Sequence, residues 1–243
     1  MPLTPAEYVR YQNLKMCKPG ESMTAEQFRA SRKKQLSWMR DEIRGRETVA
    51  DYGSGSGWLA EMCKEAGIQC FEMDEIAMKG ALETAPRVDL LTSITCMEHQ
   101  TPEEVLRFVD LAADRCRHLL IVTNNPKCMF SHLVLWDDFT HVRLYSETSI
   151  RALLEAKGWR IERVFYRDDV LAGRSLVRRV RRLMVRAAKL LLGPMFLGNT
   201  CNYWCVLAES PSAGSRSTTP SLADSKLRDR QSETPRVPAS ALT

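Results

Sequence analysis

A chain of 243 residues with 44% hydrophobic and 27% charged residues has the composition of an ordinary globular protein, long enough to bury a full core as one α/β domain with appendages. No apolar run approaches the roughly 20 residues that a bilayer-spanning helix needs. The first dozen residues also lack a basic-then-apolar leader, so a cytoplasmic location is expected. The net charge of +5 is modest but unevenly placed.

The eight cysteines, Cys17, Cys63, Cys70, Cys96, Cys116, Cys128, Cys201 and Cys205, are scattered and form no C-x-x-C. Several fall in predicted strands or helices, where Cys behaves as a small buried apolar residue, and a reducing compartment follows. Cys128 and His132 share a helical face, but no second pair stands at matching spacing, so no metal site is expected.

In chain order, residues 1–23 carry Pro2, Pro5 and the Pro19–Gly20 breaker and read as a loose arm. Thr24 with Gln27 makes a capping box for a helix whose apolar side holds Phe28, Leu36, Met39 and Ile43. Residues 48–51 form a first strand, followed by glycines at alternate positions. A strand that leaves a sheet through a glycine turn into a helix brings bare backbone N–H groups close to a ligand. The spacing is D-x-G-x-G-x-G: Asp51, Gly53, Gly55 and Gly57. The dinucleotide fingerprint G-x-G-x-x-G fails, because its third small position falls on Trp58. The helix over about 57–66 stops at Gly67. A second strand, 68–73, ends at Asp74, where an acid about 20 residues past a glycine turn accepts ribose hydroxyls. Only residues 75–87 separate it from the next apolar run, room for one helix and a brief connection.

Residues 88–95 read as the next strand. Thr101, Pro102 and Glu104 then start a helix with Val105, Phe108, Val109, Ala112 and Cys116 on its apolar face. A strand over 119–122 ends in Thr123-Asn124-Asn125-Pro126. Ser146 caps a further helix that stops at Gly158, and strands over 159–166 and 202–208 complete the sheet. Between them lies an insertion, 167–200, with Arg174, Arg178, Arg179, Arg181, Arg182, Arg186 and Lys189 against Leu176, Val177, Val180, Leu183, Met184, Ala187 and Leu191. That is a basic amphipathic helix over 174–191. Three readings compete for it: insertion into an anionic membrane surface, contact with nucleic-acid phosphates, or packing on the domain with solvated charge. The absence of interleaved aromatic residues disfavours nucleic acid. Residues 210–243, rich in Ser, Thr and Pro, are expected to be a disordered tail.

The D-x-G-x-G-x-G turn resembles the first motif of the class I S-adenosylmethionine-dependent methyltransferases. Residues 89–126 resemble the ubiquinone-biosynthesis type, which has an apolar strand, a Glu–His pair, a proline-capped helix and a strand ending in a Thr-Pro-Asn-like turn. The run 138–145, with His141 and Arg143, resembles bacterial methyltransferases of sugars and cell-surface precursors. The resemblance implies a doubly wound, mostly parallel α/β sheet with an antiparallel last strand, here with the third strand lacking or shortened. It implies S-adenosyl-L-methionine as cofactor: Gly53, Gly55, Gly57 and Asp51 at its amino-acid end, Asp74 on the ribose, and main chain at Ile94, Thr95 and Cys96 beside the sulfonium.

The acceptor would be an oxygen of a sugar, lipid-linked or small molecule, with His141 and His99 as candidate bases. Each histidine also has a plainer role, that of ordering its loop. The rival reading is a non-catalytic module that keeps the fold. An attachment of the basic helix to the inner face of the membrane would make the protein peripheral.

Overall fold

The alternation of apolar runs with glycine stops builds, in the computed structural model, one six-stranded sheet flanked by helices. The described residues are 23–74, 79–128, 138–167, 201 and 203–216, with positions 4, 7, 10, 11, 14, 180, 183 and 187. The elements are α1 (Ala25–Gln35), α2 (Met39–Ile43), β1 (Thr48–Tyr52), α3 (Trp58–Glu65), β2 (Gln69–Met73) and β3 (Val88–Ile94). After these come α4 (Pro102–Arg115), β4 (Cys116–Asn124), α5 (Glu147–Ala156), β5 (Arg160–Arg167) and β6 (Tyr203–Glu209).

The strand order is β2-β1-β3-β4-β6-β5. β1, β2, β3 and β4 run parallel, and β6 is antiparallel to both β4 and β5. No strand forms among the described residues 79–87, so the expected loss of the third strand holds there and β2 borders the sheet. The chain leaves β1 toward β2 and returns on the other side to β3. The carboxyl ends of β1 and β3 therefore lie at the topological switch point.

Consecutive residues of β4 serve opposite faces. Leu119 and Ile121 join Phe108, Ile150, Leu154 and Trp204 under α4 and α5. Leu120 and Val122 join Leu36, Met39, Ile43, Trp58 and Leu59 under the amino-terminal helices and α3. A strand buried on both faces reads as a continuous apolar run rather than an alternating one. Leu36, Met39 and Ile43 are each fully buried, and such side chains contribute on the order of 2 kcal/mol apiece.

Both predicted capping boxes form: Thr24 with Gln27, and Thr101 with Glu104. Three sequence expectations change. The amino-terminal helix is not continuous. It breaks at Leu36–Trp38, where Trp38 packs edge-on against Phe165 and beneath the Arg167 guanidinium, tertiary contacts that override the helical period. Cys116 is not on the helix face but opens β4, where burial pushes its thiol up to about 12. The chain also stays packed past residue 210, moving the boundary at which a tail was expected. The Ser210 and Ser212 hydroxyls donate to the Ala113 carbonyl at 2.6 and 2.7 Å, and a short 3-10 turn runs from Pro211 to Arg216.

Of the expected basic helix, only Val180, Leu183 and Ala187 are described, all helical and exposed. The rest of it, Cys17, His132, residues 217–243 and most of residues 1–23 lie outside the described residues.

Candidate functional site

The glycine turn leaves β1 with left-handed backbone at all three glycines: φ is +76° at Gly53, +51° at Gly55 and +75° at Gly57. Their neighbours give them different tasks. A β-carbon on Gly53 would stand 2.6 Å from the Cys96 Sγ, and one on Gly57 would stand 2.8 Å from the Glu72 Oε1. Those two glycines let the turn close onto the loop after β3 and onto β2. A β-carbon on Gly55 would find its nearest neighbour, the Gly53 carbonyl, at 3.9 Å. Gly55 is thus the uncrowded position of the three.

The turn is clamped from β2. The Asp74 Oδ2 accepts the Gly55 N–H at 2.8 Å, and the Lys79 Nζ donates to the Gly55 carbonyl at 2.9 Å and to the Glu72 Oε1 at 2.7 Å. Gly53 also donates its N–H to the Met73 carbonyl at 2.8 Å. The buried hydroxyls of Ser54, Ser56 and Ser93 have no hydrogen-bond partner among the described residues. Buried polar atoms are nearly always paired, so these three hydroxyls stand out.

Asp51, at the end of β1, is only 2% exposed and accepts the Thr92 hydroxyl at 2.8 Å. Burial pushes its carboxyl up to about 7, the Thr92 bond opposes this, and the Glu72 and Asp74 carboxylates add to it. A cation brought close would favour the ionised form.

β3 delivers Ile94, Thr95 and Cys96 to the same edge. Ile94 is buried, and Cys96 abuts Gly53. Thr95 has φ +50°, costly for a β-branched residue by about 1–2 kcal/mol. The surroundings hold it there: its N–H donates to the Val122 carbonyl at 2.7 Å, and its hydroxyl accepts from the Arg32 guanidinium at 2.9 Å. Arg32 thereby ties α1 across the carboxyl edge of the sheet.

His99 and His141, 42 positions apart in sequence, come together with ring centroids 4.6 Å apart. His99 ends the 3-10 turn Met97–His99, and His141 lies in the loop before α5. Glu98 joins the two: its carbonyl accepts the Val142 N–H at 2.8 Å, while its side chain is buried against the Thr123 hydroxyl (2.8 Å) and the Asn124 amide (2.6 Å). Burial pushes the Glu98 carboxyl up to about 7. The buried Asp138 sits 3.7 Å, Oδ2 to Nε2, from His141. Its Oδ1 accepts from the Tyr11 hydroxyl (2.9 Å), the Thr140 N–H (3.0 Å) and the Thr140 hydroxyl (2.6 Å).

The structure therefore gathers Asp51, Gly53, Gly55, Gly57, Asp74, Thr95 and Cys96 at one edge, with His99 three residues beyond Cys96. Sequence reading missed Arg32, Lys79, Thr92 and the Asp138–Thr140 support of the histidines. These lie far apart in sequence, and no local pattern marks them.

No protein-family model matches the sequence, and no curated protein sequence does. Solved structures do. A SAM-dependent methyltransferase from Archaeoglobus fulgidus superposes with a TM-score of 0.55 at 18% identity, over 76% of this chain and 94% of that one. Magnesium protoporphyrin IX methyltransferase from Synechocystis PCC 6803, with bound SAH, gives 0.51 at 14% identity over 84% and 94%. Human N-acetylserotonin methyltransferase, in complex with SAM, gives 0.55 at 12% identity over 85% of this chain and 56% of that one. The chain has the class I SAM-dependent methyltransferase fold.

Proposed function

We propose that this protein is an S-adenosyl-L-methionine-dependent methyltransferase acting on an acceptor oxygen. The observation that carries the reading is the glycine turn. Gly55 leaves open space beside the main chain, and Asp74 and Lys79 hold the turn in shape. An open turn beside Asp51 and Asp74 suits a cofactor with an amino-acid end and a ribose, and the likeness in fold to SAM- and SAH-bound structures supports it. The cofactor supplies the activated methyl group on a sulfonium sulfur.

This chain's own residues would then bind, align and exclude water. Asp51, once ionised beside a cation, would fix the amino-acid end, and Asp74 would receive the ribose hydroxyls. The main chain at Ile94, Thr95 and Cys96 would flank the reacting centre, since Cys96 already lies against Gly53. On the acceptor side, the His99–Asp138–His141 cluster would act on the acceptor hydroxyl, an effect worth about 10²–10⁴-fold for a positioned base.

The acceptor class, a sugar, a lipid-linked compound or another small molecule, rests on the sequence resemblance; a cytoplasmic location rests on the composition of the amino-terminal residues, and attachment to an anionic membrane surface on the basic amphipathic pattern of residues 174–191. Among the described residues, no helix is long and apolar enough to cross a membrane.

Calorimetry with S-adenosylhomocysteine tests the cofactor, with a nicotinamide dinucleotide and a Gly55→Val variant as controls. Binding of the dinucleotide alone would overturn the reading. Labelled-methyl transfer to cell extract tests catalysis: cofactor binding without any transfer would instead leave a non-catalytic binding module.

A further inference from the structure

We propose that His99, Asp138 and His141 form a binding site for a divalent transition-metal ion at the acceptor edge, where the ion would hold an acceptor bearing two neighbouring oxygens, such as a vicinal diol or a catechol. The acceptor half rests on the methyltransferase reading; the metal half does not.

One ligand atom from each of the three residues lies within 4.8 Å of the other two. Two atoms bonded to one ion at about 2.1 Å stand about 3.0–3.4 Å apart in cis-octahedral or tetrahedral geometry, so a pair at the 4.8 Å limit closes by about 1.4–1.8 Å on binding. The Asp138 Oδ2 and His141 Nε2, at 3.7 Å, already stand at a separation that a shared ion spans. That same distance is too long for a hydrogen bond.

The hydrogen-bond network presents these atoms as ligands. An ionised carboxylate only accepts, so the Thr140 hydroxyl must spend its single proton on the Asp138 Oδ1, where it lies at 2.6 Å. The Thr140 hydroxyl oxygen, 3.0 Å from the His99 Nδ1, and the Thr140 carbonyl, at 3.3 Å, can then only accept from that ring. Those two contacts engage the Nδ1 side of the His99 ring. A ligating histidine that donates its other nitrogen to a carbonyl is the usual arrangement around a bound metal. The carboxylate is prepared likewise. Three donors engage Oδ1, which turns Oδ2 toward His141.

Two imidazoles and one carboxylate suit Zn²⁺, Mn²⁺, Co²⁺ or Fe²⁺ better than Mg²⁺ or Ca²⁺, which prefer all-oxygen sites. Three protein ligands leave positions open for an acceptor, and a five-membered chelate through two neighbouring oxygens would fill two of them. With the ion bound, the imidazoles serve as ligands. The ion then takes over the acidifying role that a bare imidazole would otherwise fill.

The test uses the full chain, stripped with a chelator and titrated with Zn²⁺, Mn²⁺ and Co²⁺, with S-adenosylhomocysteine affinity measured in parallel. One equivalent of at least one ion should bind at micromolar affinity or tighter, and Co²⁺ should show the visible absorption of nitrogen ligation. His99→Ala and His141→Ala should each weaken binding at least 10-fold with S-adenosylhomocysteine affinity unchanged. Asp138→Asn should do the same, and because Asp138 is buried the two histidine variants keep the test valid if that variant fails to fold. Failure of all three ions to bind a protein that still binds S-adenosylhomocysteine would overturn the metal site, as would binding indifferent to both histidines. A protein that binds metal but not S-adenosylhomocysteine would sink the methyltransferase reading alone. Addition of catechol should shift the Co²⁺ spectrum where phenol does not; identical spectra would overturn the acceptor half.

Discussion

Replacing Gly53 with Ala should separate two costs that a glycine turn usually mixes. Gly45 and Gly53 share the same φ, +76°, but a β-carbon on Gly45 meets nothing within 4 Å, whereas one on Gly53 meets the Cys96 Sγ at 2.6 Å and its Cβ at 2.8 Å. Left-handed backbone costs a non-glycine residue about 1–2 kcal/mol, and overpacking a closed site adds about 1–3 kcal/mol. Gly45→Ala should therefore lose about 1–2 kcal/mol and Gly53→Ala about 2–5 kcal/mol. For a domain of this size that means Tm drops of about 2–8 °C and about 4–20 °C. Thermal unfolding of both variants reads the difference directly. In a Cys96→Gly background, the excess cost of Gly53→Ala should largely vanish, since both clashing atoms are gone. Equal drops for Gly45→Ala and Gly53→Ala would refute the close approach of the turn to the loop after β3. So would an excess that persists without the Cys96 side chain.

Asp51 should make stability depend on pH. Its carboxyl titrates near 3.8 in the unfolded chain and near 7 when folded, so the native state holds the extra proton. The stabilisation is therefore complete below about pH 4 and lost as pH rises through 7, by at most about 4 kcal/mol. Glu98, also pushed up to about 7, acts in an overlapping window, so Asp51→Asn should flatten only part of the slope in denaturant titrations between pH 5 and 8. An unchanged slope would remove the assignment. His141→Ala should lower turnover by about 10²–10⁴-fold while leaving S-adenosylhomocysteine affinity intact; retained turnover would end its role at the acceptor. Thr101→Ala, which removes the cap of α4, should cost about 1 kcal/mol in unfolding experiments without touching cofactor affinity.

Much of the fold is local and was therefore legible. Capping boxes at Thr24 and Thr101, glycine stops at Gly67 and Gly158, and apolar runs at the strands depend on neighbours a few residues away. The short span after Asp74 left too few residues for another strand, and none forms among the described residues there. Where the local signal failed, a tertiary contact had won. The helical period ran on through Leu36–Trp38, but Phe165 and Arg167 recruit Trp38 and the helix breaks. Cys116 fitted the spacing of α4, yet its backbone is used in pairing β4 with β3.

The site divides in the same way. Three glycines at alternate positions declare a turn because only glycine tolerates that backbone freely, so Gly53, Gly55 and Gly57 were determined by the sequence itself. Which of them closes the fold and which stays uncrowded was decided by Cys96, from the loop after β3, and Glu72, from β2. The two histidines could be named from loops at the expected edge. Their meeting was settled only when Glu98 bound the 138–142 loop and Asp138, Thr140 and Tyr11 closed around them. Residues separated by 42 or 127 positions interact only after the sheet has set their separation, and one-dimensional spacing holds no record of that.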